Sequence, residues 1–178
     1  AQKKDSAAIQ ALETALRLNE EKNPQLAQVA FSTLGNSLYQ LGNQVAAFSN
    51  FDKALALNPN DEQVLNNYAY FLSLAKQDLA KALDMAQRVV KKYPRNGTYL
   101  DTLAWVLYQL ERYEEAASTL EEALKFEKEP SGVLIEHYGD ILFRLGKVEE
   151  AVSWWKKAKE SPEGSDQLAQ KIKDRQLH

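Results

Sequence analysis

The sequence predicts an all-α protein, a solenoid of antiparallel helix pairs with about ten helices and no strands. Three observations predict it. Small and large apolar residues alternate at helical spacing. The pattern returns after 34, 35 and 35 residues, counted from Gly35 to Ala69, Ala104 and Gly139. Proline or glycine closes most of the segments.

The stretch from Phe31 to Pro59 shows the pattern in full. Two antiparallel helices approach closely only where small residues sit at the crossing. Gly35 on the first helix, with Ala47 and Ala54 on the second, supplies them. Phe31, Leu34, Leu38 and Phe51 fill the remaining space, and Pro59 ends the second helix because it has no N–H to continue the ladder. A second copy carries Leu65, Tyr68, Ala69 and Leu72, then Ala82, Ala86 and Val89, and ends at Pro94. A third carries Leu100, Leu103, Ala104 and Leu107, then Ala116, Leu120 and Ala123. The fourth has Ile135, Tyr138, Gly139 and Leu142, then Ala151, Trp155 and Ala158. Gly42 and Gly146 are placed to stop first helices, and Asn60 and Asp78 to start the helices that follow.

The expected organisation is a half-repeat helix with its connection over 1–27, then repeats over 28–61, 62–96, 97–131 and 132–164. A capping helix over 165–178 follows, with Leu168 and Ile172 on one face. Ala8, Leu12 and Ala15 match a second helix whose first helix is missing, which leaves an apolar face to cover. The chain is then a segment of a longer array, or residues 5–19 join it to another molecule, a second copy included. Trp155 takes the packing position of repeat four, so Trp154 is expected to face the capping helix or the solvent, with the cap the favoured partner.

Four matches at this period, with aromatic, Leu-Gly, Ala, Phe, Ala and Pro at fixed offsets, make the chain resemble the tetratricopeptide repeat (TPR) family over about residues 28–165. The run NGTYLDTLAWVLYQLERYEEA resembles a bacterial version. The resemblance implies a right-handed superhelix whose first helices line a concave groove. It implies a non-catalytic scaffold or adaptor that binds an extended peptide or a partner helix. Membership of a longer array, or assembly through the unpaired N-terminal helix, is the alternative.

On that resemblance the groove residues are Ser32, Asn36 and Tyr39 of repeat one, and Asn66, Asn67 and Tyr70 of repeat two. Repeat three adds Asp101, Trp105 and Tyr108, and repeat four Glu136, Asp140 and Phe143. Aromatic rings give contact area at low entropy cost. The carboxylates of Asp101, Glu136 and Asp140 favour a ligand with basic residues. One subset of the family grips C-terminal carboxylates with lysines, arginines and asparagines. This sequence keeps Asn36 and Asn67 but has Ser32, Thr98 and Thr102 where the cations belong, so that mechanism is rejected.

The remaining readings exclude. Net charge is −3, which argues against nucleic acid. No apolar run is long enough for a membrane span, and there is no cysteine. No cofactor motif, metal motif or catalytic constellation is present. Of two histidines, His178 is terminal and His137 lies beside Glu136 and one turn from Asp140, where a polar groove wall outweighs a metal or acid–base site. The compartment stays open between cytoplasm and bacterial envelope, with the bacterial resemblance leaning to the envelope.

Overall fold

A computed structural model describes residues 2–19, 22–161 and 163–177, with side chains from residue 7 onward. His178 lies outside the described residues. Ten helices and no strand are found among them. They are α1 (Gln2–Asn19), α2 (Pro24–Gln40), α3 (Gln44–Leu57), α4 (Glu62–Ala75) and α5 (Leu79–Lys92), followed by α6 (Gly97–Gln109), α7 (Tyr113–Phe126), α8 (Gly132–Arg144), α9 (Val148–Lys159) and α10 (Leu168–Asp174). The protein divides into two compact units, Ala1–Phe71 and Leu72–His178, with the division inside α4.

Helix starts follow from short polar side chains. Asn23, Asn43, Asn96 and Ser131 each accept a hydrogen bond from the backbone N–H three residues on, at 3.0–3.2 Å. For α4 the cap is Asp61, bonded to the Val64 N–H at 3.0 Å, rather than the expected Asn60. Asp78 precedes α5 with φ 41° and makes no capping bond, so its side chain starts nothing. Turns after first helices need a left-handed residue. Gly42 (φ 83°) and Gly146 (φ 77°) supply it without cost, whereas Lys76 (φ 51°) and Glu111 (φ 60°) hold the same conformation with a side chain.

In the first unit α2 and α3 pair around Leu34, Ala47, Phe51 and Ala54, all buried. The Gly35 seam is tight: a Cβ on Gly35 comes within 2.7 Å of the Phe51 ring. Tyr68 stacks on Phe51 at 5.1 Å, and Tyr39 on Phe71 at 4.0 Å. Helix α1 packs on α2, and none of its described side chains is buried.

In the second unit α6 pairs with α7 and α8 with α9 about one continuous core. Gly139 repeats the Gly35 arrangement: a Cβ there meets the Trp155 ring at 2.5 Å. Where the first helix has Ala104 instead, the matching residue of the second is Leu120, which needs less room; both are fully buried. Helix α10 closes the unit by placing Leu168 in that core. Trp154 does not face α10. It meets Tyr138 edge-on at 4.9 Å with Lys157 above its ring, because one residue before Trp155 is a rotation of about 100° around the helix. Phe143, expected in the groove, instead tilts against Trp155 at 5.8 Å and packs on the core.

The glycine seams give a stability prediction. Gly139→Ala forces a methyl into the Trp155 ring and should cost about 2 kcal/mol in chemical denaturation. An unchanged midpoint would mean that the ring is free to shift and the close approach is not required.

Candidate functional site

The first-helix face of the second unit brings together the expected groove residues Asp101, Trp105, Tyr108, Glu136 and Asp140. Trp105, in the middle of α6, stacks on Tyr108 of its own helix at 4.5 Å and on the His137 ring of α8 at 3.9 Å. Only 9% of Trp105 is exposed, and its indole Nε1 has no hydrogen-bond partner. Nδ1 of His137 lies 2.8 Å from the Asp101 carboxylate, so Asp101 orients the ring that Trp105 rests on. The sequence places these rings on an open groove floor. The structure presses Trp105 against the next helix and leaves Tyr108 as the half-buried, accessible ring.

The two acidic residues of α8 are already occupied. Lys171 of α10, 4% exposed, bonds Glu136 at 2.7 Å and both oxygens of Asp140 at 2.8 Å. Ser165 donates to Glu136 through its backbone N–H at 2.9 Å and its hydroxyl at 2.6 Å. The Trp155 indole donates to Asp140 at 2.8 Å. Glu136 and Asp140 are each 6% exposed. The cation expected from a basic ligand is thus supplied by the protein itself, which corrects that expectation for these two residues.

Electrostatics follow the same geometry. Burial pushes the Glu136 carboxyl up, but its bonds from Lys171 and Ser165 outweigh burial and hold it below the usual range. For Asp140 burial wins over Lys171 and Trp155, and the carboxyl is raised. Burial opposes the charge on Lys171, yet Asp140 and Glu136 together raise its ammonium above the ordinary lysine value. Burial also raises the Tyr108 phenol, although Arg144 acts in the other direction.

A cavity of about 400 Å³ opens beside these groups. Trp105 and Tyr108 of α6, Tyr113 of α7, Asp140 and Arg144 of α8 and Lys171 of α10 line it, and Lys76 and Glu111 come from the turns. Arg144 donates through Nε to the Tyr108 hydroxyl at 3.2 Å. Sequence reasoning missed Arg144, Lys76 and Lys171. Arg144 was detectable as the residue one turn beyond Asp140 on the same helix face. No cluster of three potential metal-ligating side chains occurs among the described residues.

In the first unit the expected residues are quieter. The Asn67 amide donates to the Asn36 amide oxygen at 3.3 Å, so the two asparagines hold each other. Asn66 is buried with its amide oxygen unpartnered. Ser32, Tyr39 and Tyr70 are half-buried. No helix is long and apolar enough to cross a membrane among the described residues.

Residues 1–131 match the model of the cytochrome c-type biogenesis protein H TPR domain. The chain belongs to that family. A relative, the putative cytochrome c-type biogenesis protein CcmH of Haemophilus influenzae, is 31% identical over 113 residues, which are 62% of this chain and 24% of that protein. The family fold recurs in solved structures. MamA from Desulfovibrio magneticus RS-1 superposes with a TM-score of 0.72 at 22% identity, over 88% of this chain and 84% of that one. YrrB, a TPR protein with an unusual peptide-binding site, gives 0.62 at 21% identity, over 93% and 81%.

The Lys171 cluster generates a prediction with two readouts. Lys171→Met strands two buried carboxylates and should cost roughly 3 kcal/mol. The raised ammonium value means that stability is fully present below the unfolded lysine range and is lost as pH rises through the folded value. Melting of the parent should therefore fall on the alkaline side more steeply than that of Lys171→Met. Equal alkaline slopes would show that the ammonium contributes nothing to folding.

Proposed function

We propose that the chain is a non-catalytic, polypeptide-binding module of cytochrome c biogenesis, and that it takes its ligand on the first-helix face of the second unit. The observation that carries this reading is the Trp105–Tyr108 bank beside an open cavity, on a member of this family. A peptide-binding site is also named for YrrB, which shares the fold. The chain spans 24% of the length of the H. influenzae relative, so the module would serve a larger protein.

Tyr108, Trp105 and Asp101 form the centre of the surface, with Trp105 and Asp101 acting through the rings they support. Glu136, Asp140 and Phe143 belong to its foundation. Within the first unit, taken by itself, Ser32, Asn36, Tyr39, Asn66, Asn67 and Tyr70 form a separate candidate contact surface. The test is titration calorimetry with a haem-free cytochrome c polypeptide. Tyr108→Ala removes the accessible ring and should cost about 2 kcal/mol of binding, roughly thirtyfold, with thermal melting of the variant as the control for the fold. Parent and variant binding alike would remove this face from the reading; a parent that does not bind would remove the cytochrome c ligand.

One observation favours assembly as a second reading. A cavity of about 650 Å³ beside α1 is lined by Leu16, Ala27, Phe31 and Leu57, and Leu18 is 70% exposed. Self-association through α1 should appear by sedimentation at high concentration and vanish when residues 5–19 are removed. A dimer that survives the deletion uses another surface.

A further inference from the structure

The cavity between α6, α8 and α10 has a rim whose charge is opposite to that of the acidic cluster buried beneath it. Asp140 has both oxygens committed, one to Lys171 and Trp155 and the other to Lys171. The Lys171 ammonium is committed to Asp140 and Glu136. These groups fill one another's bonding capacity and leave little for a ligand.

Three charged heads remain at the rim: Arg144, Lys76 and Glu111. Arg144 and Lys76 are exposed, and neither forms an ion pair within 4 Å among the described residues. Glu111 acts on Arg144 only at longer range. Two cations against one anion make the rim positive by one, opposite in sign to the buried cluster, where Lys171 meets two carboxylates.

The position of Arg144 is fixed. Its Nε bonds the Tyr108 hydroxyl, and its guanidinium stands 5.9 Å from the centre of the Tyr108 ring. That engages one of five donors and leaves the terminal nitrogens, the edge that takes a carboxylate in a paired fork. Lys76 is held in a left-handed turn at φ 51° on the same rim. Beside these cations lies an aromatic wall. Tyr108 contacts Trp105 face to face and Tyr113 edge to face at 5.5 Å. The Trp105 indole N–H, buried and without an acceptor, belongs to the same lining.

We infer that this cavity binds a carboxylate of the peptide ligand, held by Arg144 and assisted by Lys76, with an adjoining aliphatic side chain on Tyr108. The inference rests on the peptide-binding reading and adds the ligand's charge. It uses side chains at the end of α8 and in a turn, not the inward positions where the sequence looks for cations. A carboxylate can come from Asp or Glu, or from the free carboxyl end of a polypeptide, and the chemistry at Arg144 is the same.

The experiment is NMR titration of the labelled 178-residue protein, following the indole N–H resonances. The probe is the pentapeptide acetyl-GLELG-amide. Its comparators are acetyl-GLQLG-amide, acetyl-GLKLG-amide and acetyl-GLQLG with a free C-terminus. The Glu peptide should shift the Trp105 resonance and bind about tenfold or more tightly than the Gln and Lys amides. Arg144→Gln should remove that preference and Lys76→Gln reduce it about threefold, while the Trp154 indole signal, away from the cavity lining, stays in place. Recovery of affinity by the free-acid Gln peptide would assign the carboxylate to a polypeptide terminus; its absence assigns it to a side chain. If the Glu, Gln and Lys amides shift Trp105 with equal affinity, the carboxylate inference falls and the peptide-binding reading stands. If the Glu peptide leaves Trp105 in place, the inference also falls, and the cytochrome c titration decides the reading separately.

Discussion

Close approach of paired helices is the constraint on which the rest depends. At the crossings of repeats one, three and four a residue with little or no side chain is matched by a larger one. Gly35 admits the Phe51 ring and Gly139 the Trp155 ring, with no room for a Cβ at either place. Ala104 and Leu120 answer the same need with volume shifted from one partner to the other. Interiors pack to crystal-like density, so the exchange must nearly balance. Seating Trp155 so deeply has a further effect. Its indole N–H reaches Asp140, a residue of the inward face, and ties the packing seam to the site.

That link explains why the acidic residues of α8 serve structure first. A carboxylate brought to 6% exposure must be paired, and Lys171 and Ser165 do the pairing. Helix α10 has seven residues, too few to be stable alone. Its hold comes from Leu168 in the core and Lys171 in the acidic socket. The cap and the socket therefore stabilise each other, and the charges that stay accessible belong to the turns and helix ends.

What the sequence made legible was local. The 34–35-residue period, the small residues at crossings and the glycine turns all depend on neighbours within one repeat. So do the ten helices. The misreadings share a different cause. Lys171 lies 35 positions from Glu136, and no periodicity connects a short polar tail to an acidic pair so far back. Without that pairing, Glu136 and Asp140 look like ligand contacts. Trp154 and Phe143 each lie one residue outside the periodic packing positions, and their contacts with Tyr138 and Trp155 make the packing face wider than the period alone implies. For Asn60 the error was one position, since Asp61 is an equally good cap and sits where the helix begins.

The same division of labour bears on how such a surface can vary. Trp105 and Tyr108 fall within the residues that match the family, whereas Asp140, Arg144 and Lys171 lie beyond residue 131. The rings are held by stacking inside α6 and on α8, so exchanging a rim charge leaves them in place. Arg144 carries its own support in the Tyr108 hydroxyl and is exposed, so replacing it strands no buried group. Replacing Lys171 strands two. The side-chain charge can therefore change at Arg144 and Lys76 at small structural cost, while Lys171 is fixed by the carboxylates it satisfies.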